Sequence, residues 1–174
     1  AANLRITDQN RRLEELSRTD PLTGLANRRT LEEQLPLEMA ILRRELDRHG
    51  GRVPDDYHGC AVFVLDLDHF KTVNDRWGHD TGDAALRMLA DALRAGLREV
   101  DLPVRWGGEE LVILARSVDR IGVETLARKL LATVAATRVP LPGGGDLALS
   151  ASIGFMLYPP TSDQPLEATR WHLL

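Results

Sequence analysis

Apolar positions along the chain follow two rhythms, one near 3.6 residues and one continuous or alternating. The helical rhythm opens over residues 3–18, where Ile6, Leu13 and Leu16 form a narrow seam with Gln9 as its polar member. Such a seam buries little in a monomer, so it predicts either one end of a two-stranded coiled coil linking to an upstream unit or a plain surface helix. Thr19-Asp20-Pro21 stops it, because proline disfavours helical backbone at the residue before it. A second helix is predicted from Asn27, its N-cap, to about Asp47, with Leu31, Leu35, Met39 and Leu42 on one face. Pro36 is expected to kink or split it. Gly50, Gly51 and Pro54 mark the next stretch as loop. Gly59 to Asp68 is the strongest strand signal, an apolar run expected to be covered on both faces. It ends in Asp66 and Asp68, which share a face by the period of two. A short helix from His69 to Arg76, a loop over Trp77–Asp83 and a long helix from about Gly82 to Leu97 follow.

The next segment, Val104 to Leu114, reads as a β-hairpin. The Gly107-Gly108 pair makes the turn, and Glu109 and Glu110 leave it on opposite faces. A helix is then predicted from Asp119 to about Thr137. Gly143-Gly144-Gly145 precedes a strand rather than a helix, which favours a hairpin connection over a phosphate cradle. Leu147 to Tyr158 reads as the last strand, and Leu166 to Leu174 as the start of a helix. Strand–helix–strand–strand–helix–strand is the split βαβ order. It predicts an α+β domain with a mostly antiparallel sheet and its helices on one face. In that sheet the end of the first strand and the tip of the hairpin are neighbours, which brings Asp66 toward Glu109 and Glu110. Three converging carboxylates repel one another unless a cation lies between them. Hard oxygen ligands suit Mg²⁺ or Mn²⁺, whose shell substrate phosphates would complete, and this points to phosphoryl or nucleotidyl transfer.

Composition narrows the picture. The chain has 174 residues, enough for one domain with a core. Its net charge of −4 gives no basic footprint for a nucleic-acid polymer. No apolar run reaches the ~20 residues a membrane helix needs. A single cysteine, Cys60, in an apolar strand suits a small buried thiol and a reducing cytoplasm.

Several motifs together resemble one family. Asp66-Leu67-Asp68-His69-Phe70-Lys71-Thr72-Val73-Asn74-Asp75, Gly78-His79-Asp80-Thr81-Gly82-Asp83 and Arg105-Trp106-Gly107-Gly108-Glu109-Glu110-Leu111 look like the signature of the diguanylate cyclases, the GGDEF-domain family. Asp20-Pro21-Leu22-Thr23-Gly24-Leu25-Ala26-Asn27-Arg28-Arg29 and Ser152-Ile153-Gly154 fit the same pattern, so the match spans roughly residues 17–160. The resemblance implies a palm-like nucleotidyl-cyclase fold over residues 19–174, with residues 1–18 as the linker helix. It implies condensation of two GTP into cyclic di-GMP, one GTP held by each of two facing domains, hence a homodimer.

The site roles it implies are specific. Asp66, Leu67 and Glu109 would lie at the metal, and Glu109 and Glu110 would serve catalysis, one of them near the ribose 3′-hydroxyl. Asn74 and Asp83 would read guanine, an amide and a carboxylate matching that base's edge. Taken alone, the same two residues read as a helix C-cap and an N-cap. Main-chain N–H groups near His69 and Phe70 would face phosphates, with Lys71 as a phosphate partner, and Gly107 and Gly108 would let the α-phosphate lie against the backbone. Arg98 and Asp101, with five residues between Asp101 and Gly107, resemble the family's Arg-x-x-Asp product-inhibition site.

Leu111 stands where the family usually has Phe, and Glu109 where it often has Asp. The family pattern also continues into a C-terminal helix and strand beyond Leu174, so weaker phosphate binding and an under-covered sheet face are expected of the chain as given. The competing reading is a non-catalytic module that binds GTP or cyclic di-GMP. A third is a related cyclase with another base choice, against which Asp83 argues.

Overall fold

The computed structural model describes residues 18–51, 53, 57–159 and 169–171. The helix expected over 3–18 lies outside them, apart from Arg18. The elements run β1 (Ala26–Asn27), α1 (Arg28–Arg48), β2 (Gly59–Leu67), α2 (Phe70–Trp77), α3 (His79–Gly96), β3 (Leu102–Gly107) and β4 (Glu110–Val118). They continue with α4 (Arg120–Ala136), β5 (Arg138–Pro140), β6 (Asp146–Ala148), β7 (Ala151–Tyr158) and β8 (Thr169–Trp171).

Six strands form one sheet in the order β1-β3-β4-β2-β7-β8. The pairings of β2 with β4 and β7, and of β3 with β4, are antiparallel; only β1 with β3 is parallel. This is the split βαβ order with β2 at its centre.

The period of two on β2 sets the layers. Ala61, Phe63, Leu65 and Leu67 face a core shared with Ala85, Leu86, Leu89, Ala90 and Leu93 of α3 and with Val123, Leu130 and Val134 of α4. Phe63 is fully buried and lies 5.6 Å, ring to ring, from Phe155. Burying each such side chain stabilises the fold by roughly 1.5–3 kcal/mol. Helices do not stay on one face, as the sequence order suggested. α1 covers the opposite face with Leu31 and Leu42, against Cys60, Val104, Val112 and Leu114. That cover does not reach the far end of β2, where Val64 is 47% exposed, so this strand is not enclosed on both faces throughout.

Other expectations are corrected. Pro36 does not split α1, which runs unbroken for 21 residues. Pro36, Glu32 and Glu33 are exposed, so a carbonyl left without its helical donor meets water, while Leu31 and Leu42 hold the helix to the sheet. Asn27 caps α1 as expected, its Oδ1 accepting from the Thr30 N–H at 3.0 Å. The loop expected over Trp77–Asp83 shrinks to Gly78, whose φ of +85° turns the chain directly from α2 into α3. The strand expected over Leu147–Tyr158 is two strands, β6 and β7, with Leu149 and Ser150 between them in neither, although the Ser150 carbonyl still accepts from the Asp68 N–H at 2.9 Å. β6 pairs instead with β5 across the glycine-rich turn, the hairpin expected there. Residues 169–171, expected as helix, pair with β7 as β8.

Candidate active site

The acids gather where β2 and β4 end together. Asp66 lies directly opposite Glu110 in the β2–β4 register, the neighbourhood expected of the fold. The turn itself lies one residue later than the glycine pair suggested. Gly107 still pairs, with Glu110, after an irregularity at Trp106, so the two turn residues are Gly108 and Glu109. Gly108 takes φ +52°. Glu109 is therefore a half-buried turn residue and Glu110 the exposed first residue of β4.

Asp66 registers the crowding. Partial burial, then the negative charges of Glu109 and of Asp68, push its carboxyl above the usual range. Its surface remains largely open to water, which limits the penalty. Asp68 is held aside, accepting from the Ser152 hydroxyl at 2.9 Å.

A cation would relieve this crowding. Among the described residues no group of three or more His, Cys, Asp or Glu side chains is placed to hold a metal alone, so the expected three-acid convergence does not form. The donors present fit a magnesium-like ion held by Asp66 and Glu109, with water and phosphate oxygens filling its shell. Leu67 has no polar side-chain atom, so only its main-chain carbonyl could be a metal ligand.

His69 takes the left-handed conformation, φ +57°, and α2 starts at Phe70. Thr72 and Val73 donate to the His69 carbonyl, which leaves the Phe70 and Lys71 N–H groups at the open helix start. The Phe70 ring packs into the core, so only its backbone serves the site, and Lys71 is exposed. Neither Asn74 nor Asp83 is a cap. Asn74 lies inside α2, which Gly78 closes by donating to the Asn74 carbonyl, and Asp83 is the fifth residue of α3. The two helices touch at Gly82. A Cβ there would lie 2.0 Å from Asn74 Oδ1, so the glycine lets the amide lie against α3 one residue before Asp83. Asp83 also lies 3.8 Å from Arg87 in an exposed pair.

Arg98 and Asp101 are together, but with each other. Asp101 is buried and accepts from the Arg98 N–H, Nε and Nη2 and from the Arg116 N–H at 3.1–3.3 Å. Arg98 Nη2 also donates to the Arg116 carbonyl at 2.7 Å. A cavity of about 340 Å³ lies beside them, lined by Arg94, Leu97, Arg98, Glu99, Asp101 and Pro103.

Sequence reading gave no role to two residues that tie the site together. Asp20 accepts from Thr23 N–H and Oγ1 at 2.9 and 2.7 Å, and from Arg105 Nη1 at 3.2 Å to each oxygen. Burial alone would raise its carboxyl, but these hydrogen bonds outweigh it and hold it below the usual range. Both residues stood in quoted motifs; their separation of 85 positions hid the pairing.

A split βαβ sheet with acids at the mouth of its two central strands defines a palm-type α+β domain. The chain belongs to the GGDEF-domain family, described as "Diguanylate cyclase, GGDEF domain", which matches residues 17–171. It is 39% identical over 140 residues to the diguanylate cyclase DgcP of Pseudomonas aeruginosa, covering 80% of this chain and 19% of that protein. It thus spans about a fifth of that relative's length. The diguanylate cyclase SiaD of the same organism, solved with its activator SiaC, superposes with a TM-score of 0.70 at 35% identity, over 94% of this chain and 58% of that one. The GGDEF domain of DgcB from Caulobacter crescentus, solved with cyclic di-GMP, gives 0.67 at 30% identity, over 80% and 76%.

Proposed function

We propose that this domain is a diguanylate cyclase half-site. It holds one GTP and, facing a second copy, joins two GTP into cyclic di-GMP. The observation that carries the reading is the meeting of Asp66 with the Gly108-Glu109-Glu110 turn, where burial and Glu109 together raise the Asp66 carboxyl.

Asp66 and Glu109 carboxylates and the Leu67 carbonyl hold Mg²⁺ or Mn²⁺ in this reading. The metal, when bound, neutralises phosphate charge and makes the ribose 3′-hydroxyl easier to deprotonate. Phe70 and Lys71 N–H groups, with the Lys71 ammonium, receive the outer phosphates. Gly107 and Gly108 leave the backbone open, since a Cβ on either would meet nothing within 4 Å, so the α-phosphate can approach the turn. Asn74 and Asp83 pair with the guanine edge, the amide donating to its carbonyl and the carboxylate accepting from N1–H and the 2-amino group. Glu109 or Glu110 receives the 3′-hydroxyl proton as that oxygen bonds to the α-phosphorus of the facing GTP, whose bond to the β-phosphate oxygen breaks to release pyrophosphate. Released cyclic di-GMP occupies the cavity beside Arg98, whose guanidinium leaves Asp101 to fork onto guanine or phosphate. The buried Cys60 thiol, pushed up to about 11 by burial and then by Glu38, is inert, which suits a cytoplasmic protein.

The second reading is a module that only binds cyclic di-GMP, favoured by the arginine-lined cavity and by the nucleotide held in the DgcB structure. Chromatographic product analysis with GTP and Mg²⁺ separates the two. Asp66→Ala and Glu109→Ala should each lower the rate at least about 10²-fold. A wild type that binds cyclic di-GMP but forms none would support the binding module.

A further inference from the structure

The turn that presents Glu109 is not fixed by its own sterics. Gly107 and Gly108 have no atom near the place a Cβ would occupy, and two adjacent glycines leave the backbone its widest choice. What defines this turn is one side chain. Arg105, near the end of β3, folds back so that Nε and Nη2 donate to the Gly108 carbonyl at 3.1 and 2.9 Å. That carbonyl belongs to the Gly108–Glu109 peptide, so fixing its direction fixes the plane from which Glu109 departs. The third edge of the guanidinium is also anchored. Nη1 spans both oxygens of Asp20 at 3.2 Å, and both side chains are more than four-fifths buried. Asp20 is in turn held by Thr23, by its own N–H to the Leu25 carbonyl and by its carbonyl from the Gly24 N–H, each at 2.7–2.9 Å.

We propose that Arg105 is a positioning residue for the reaction, holding the Gly108–Glu109 peptide so that Glu109 stands beside Asp66, with Asp20 as the anchor that orients the guanidinium. The inference rests on the cyclase reading for its kinetic consequences and on geometry for its structural one. Lysine could pair with Asp20, but its compact ammonium lacks the fork that serves Asp20 and the carbonyl together. Arg105 touches no part of the guanine-reading pair on α2 and α3, so its loss should act on turnover and metal use rather than on base recognition.

Arg105→Lys and Asp20→Asn test this through three readouts on the folded chain. Amide ¹⁵N order parameters of Gly108 and Glu109 should fall in Arg105→Lys while those of β2 and β4 interiors stay. With GTP and Mg²⁺, Arg105→Lys should lower kcat at least about tenfold and change KM for GTP less than about threefold. The Mn²⁺ concentration giving half-maximal EPR-detected binding, with a non-hydrolysable GTP analogue present, should rise several-fold. Asp20→Asn should show the same pattern more weakly. Unchanged order parameters in Arg105→Lys overturn the proposal, whatever the activity. So does an unchanged kcat in an active background. A wild type that makes no cyclic di-GMP defeats the cyclase reading instead, and the order parameters and Mn²⁺ binding then decide the positioning claim without it.

Discussion

Asp66 and Asp20 start from the same ordinary carboxyl value and move in opposite directions, because one is partly buried and crowded by acids while the other has its burial outweighed by donors. For Asp66 the folded state disfavours the charge, so its carboxylate opposes folding at neutral pH. Asp66→Asn should therefore raise the melting temperature of the metal-free domain by about 1–2 °C while impairing turnover, and added Mg²⁺ should erase the gain. A melt showing Asp66→Asn less stable than wild type without metal would contradict this. For Asp20 the sign is reversed. A depressed carboxyl contributes stability that is present above the unfolded value of 3.8 and is lost as pH falls through the lower folded value. Asp20→Asn should cost about 1–2 kcal/mol at pH 7, and the difference from wild type should shrink below about pH 4 in paired thermal melts. Sequence spacing sufficed to nominate Asp66, Glu109 and Glu110, since they stand at the end of one recognisable strand and at the turn that opens another. It could not nominate Arg105 and Asp20 as partners, because nothing local records a contact between a turn near the start of the domain and a hairpin at its middle.

At the scale of elements, the α2–α3 joint shows what a single glycine conformation decides. Trp77 to Asp83 reads as loop because it holds two glycines and two aspartates, yet Gly78 alone makes the turn and the rest is helix. The pattern could not separate a seven-residue loop from a one-residue turn followed by a polar helix start. The second glycine has a different cause. Gly82 is helical, where glycine costs roughly 1 kcal/mol relative to alanine, and it is there because Asn74 Oδ1 occupies the space a Cβ would need. Gly82→Ala should leave the melting temperature within about 2 °C of wild type, the helix gain offsetting the local clash, while displacing Asn74 and weakening binding of a fluorescent GTP analogue about tenfold. Unaltered analogue affinity would remove Asn74 from the base pocket. The segment joining α3 to β3 makes a similar division. Asp101 is buried with four donors, so Asp101→Ala should destabilise the fold by about 2 kcal/mol or more. Arg98→Ala keeps the main-chain donors to Asp101, so it should cost less than Asp101→Ala, leave the fold intact and relieve inhibition by added cyclic di-GMP. Inhibition curves that superpose for Arg98→Ala and wild type would exclude the cavity as the product site.

For the whole molecule, the order of elements was enough to give the four central strands of the sheet, but not β1 and β8 at its edges. The strand sequence fixed β2 between β4 and β7 and so brought the acids to one mouth. What the order left out is which face each helix takes: α1 lies opposite α3 and α4 because Leu31 and Leu42 meet the alternate side chains of β2, β3 and β4. The same architecture presents one acidic mouth, the proposed metal-and-phosphate edge, whereas a cyclic dinucleotide needs two 3′-hydroxyls and two α-phosphates. On the cyclase proposal two copies would face each other, and activity should depend on their encounter. The measurement that tests this most directly is the initial rate of cyclic di-GMP formation from GTP and Mg²⁺, per mole of protein, over a wide range of protein concentration. The account predicts cyclic di-GMP as the product, with a per-mole rate that climbs with concentration and then levels off. A folded protein that binds GTP yet yields no cyclic di-GMP at any concentration would contradict it.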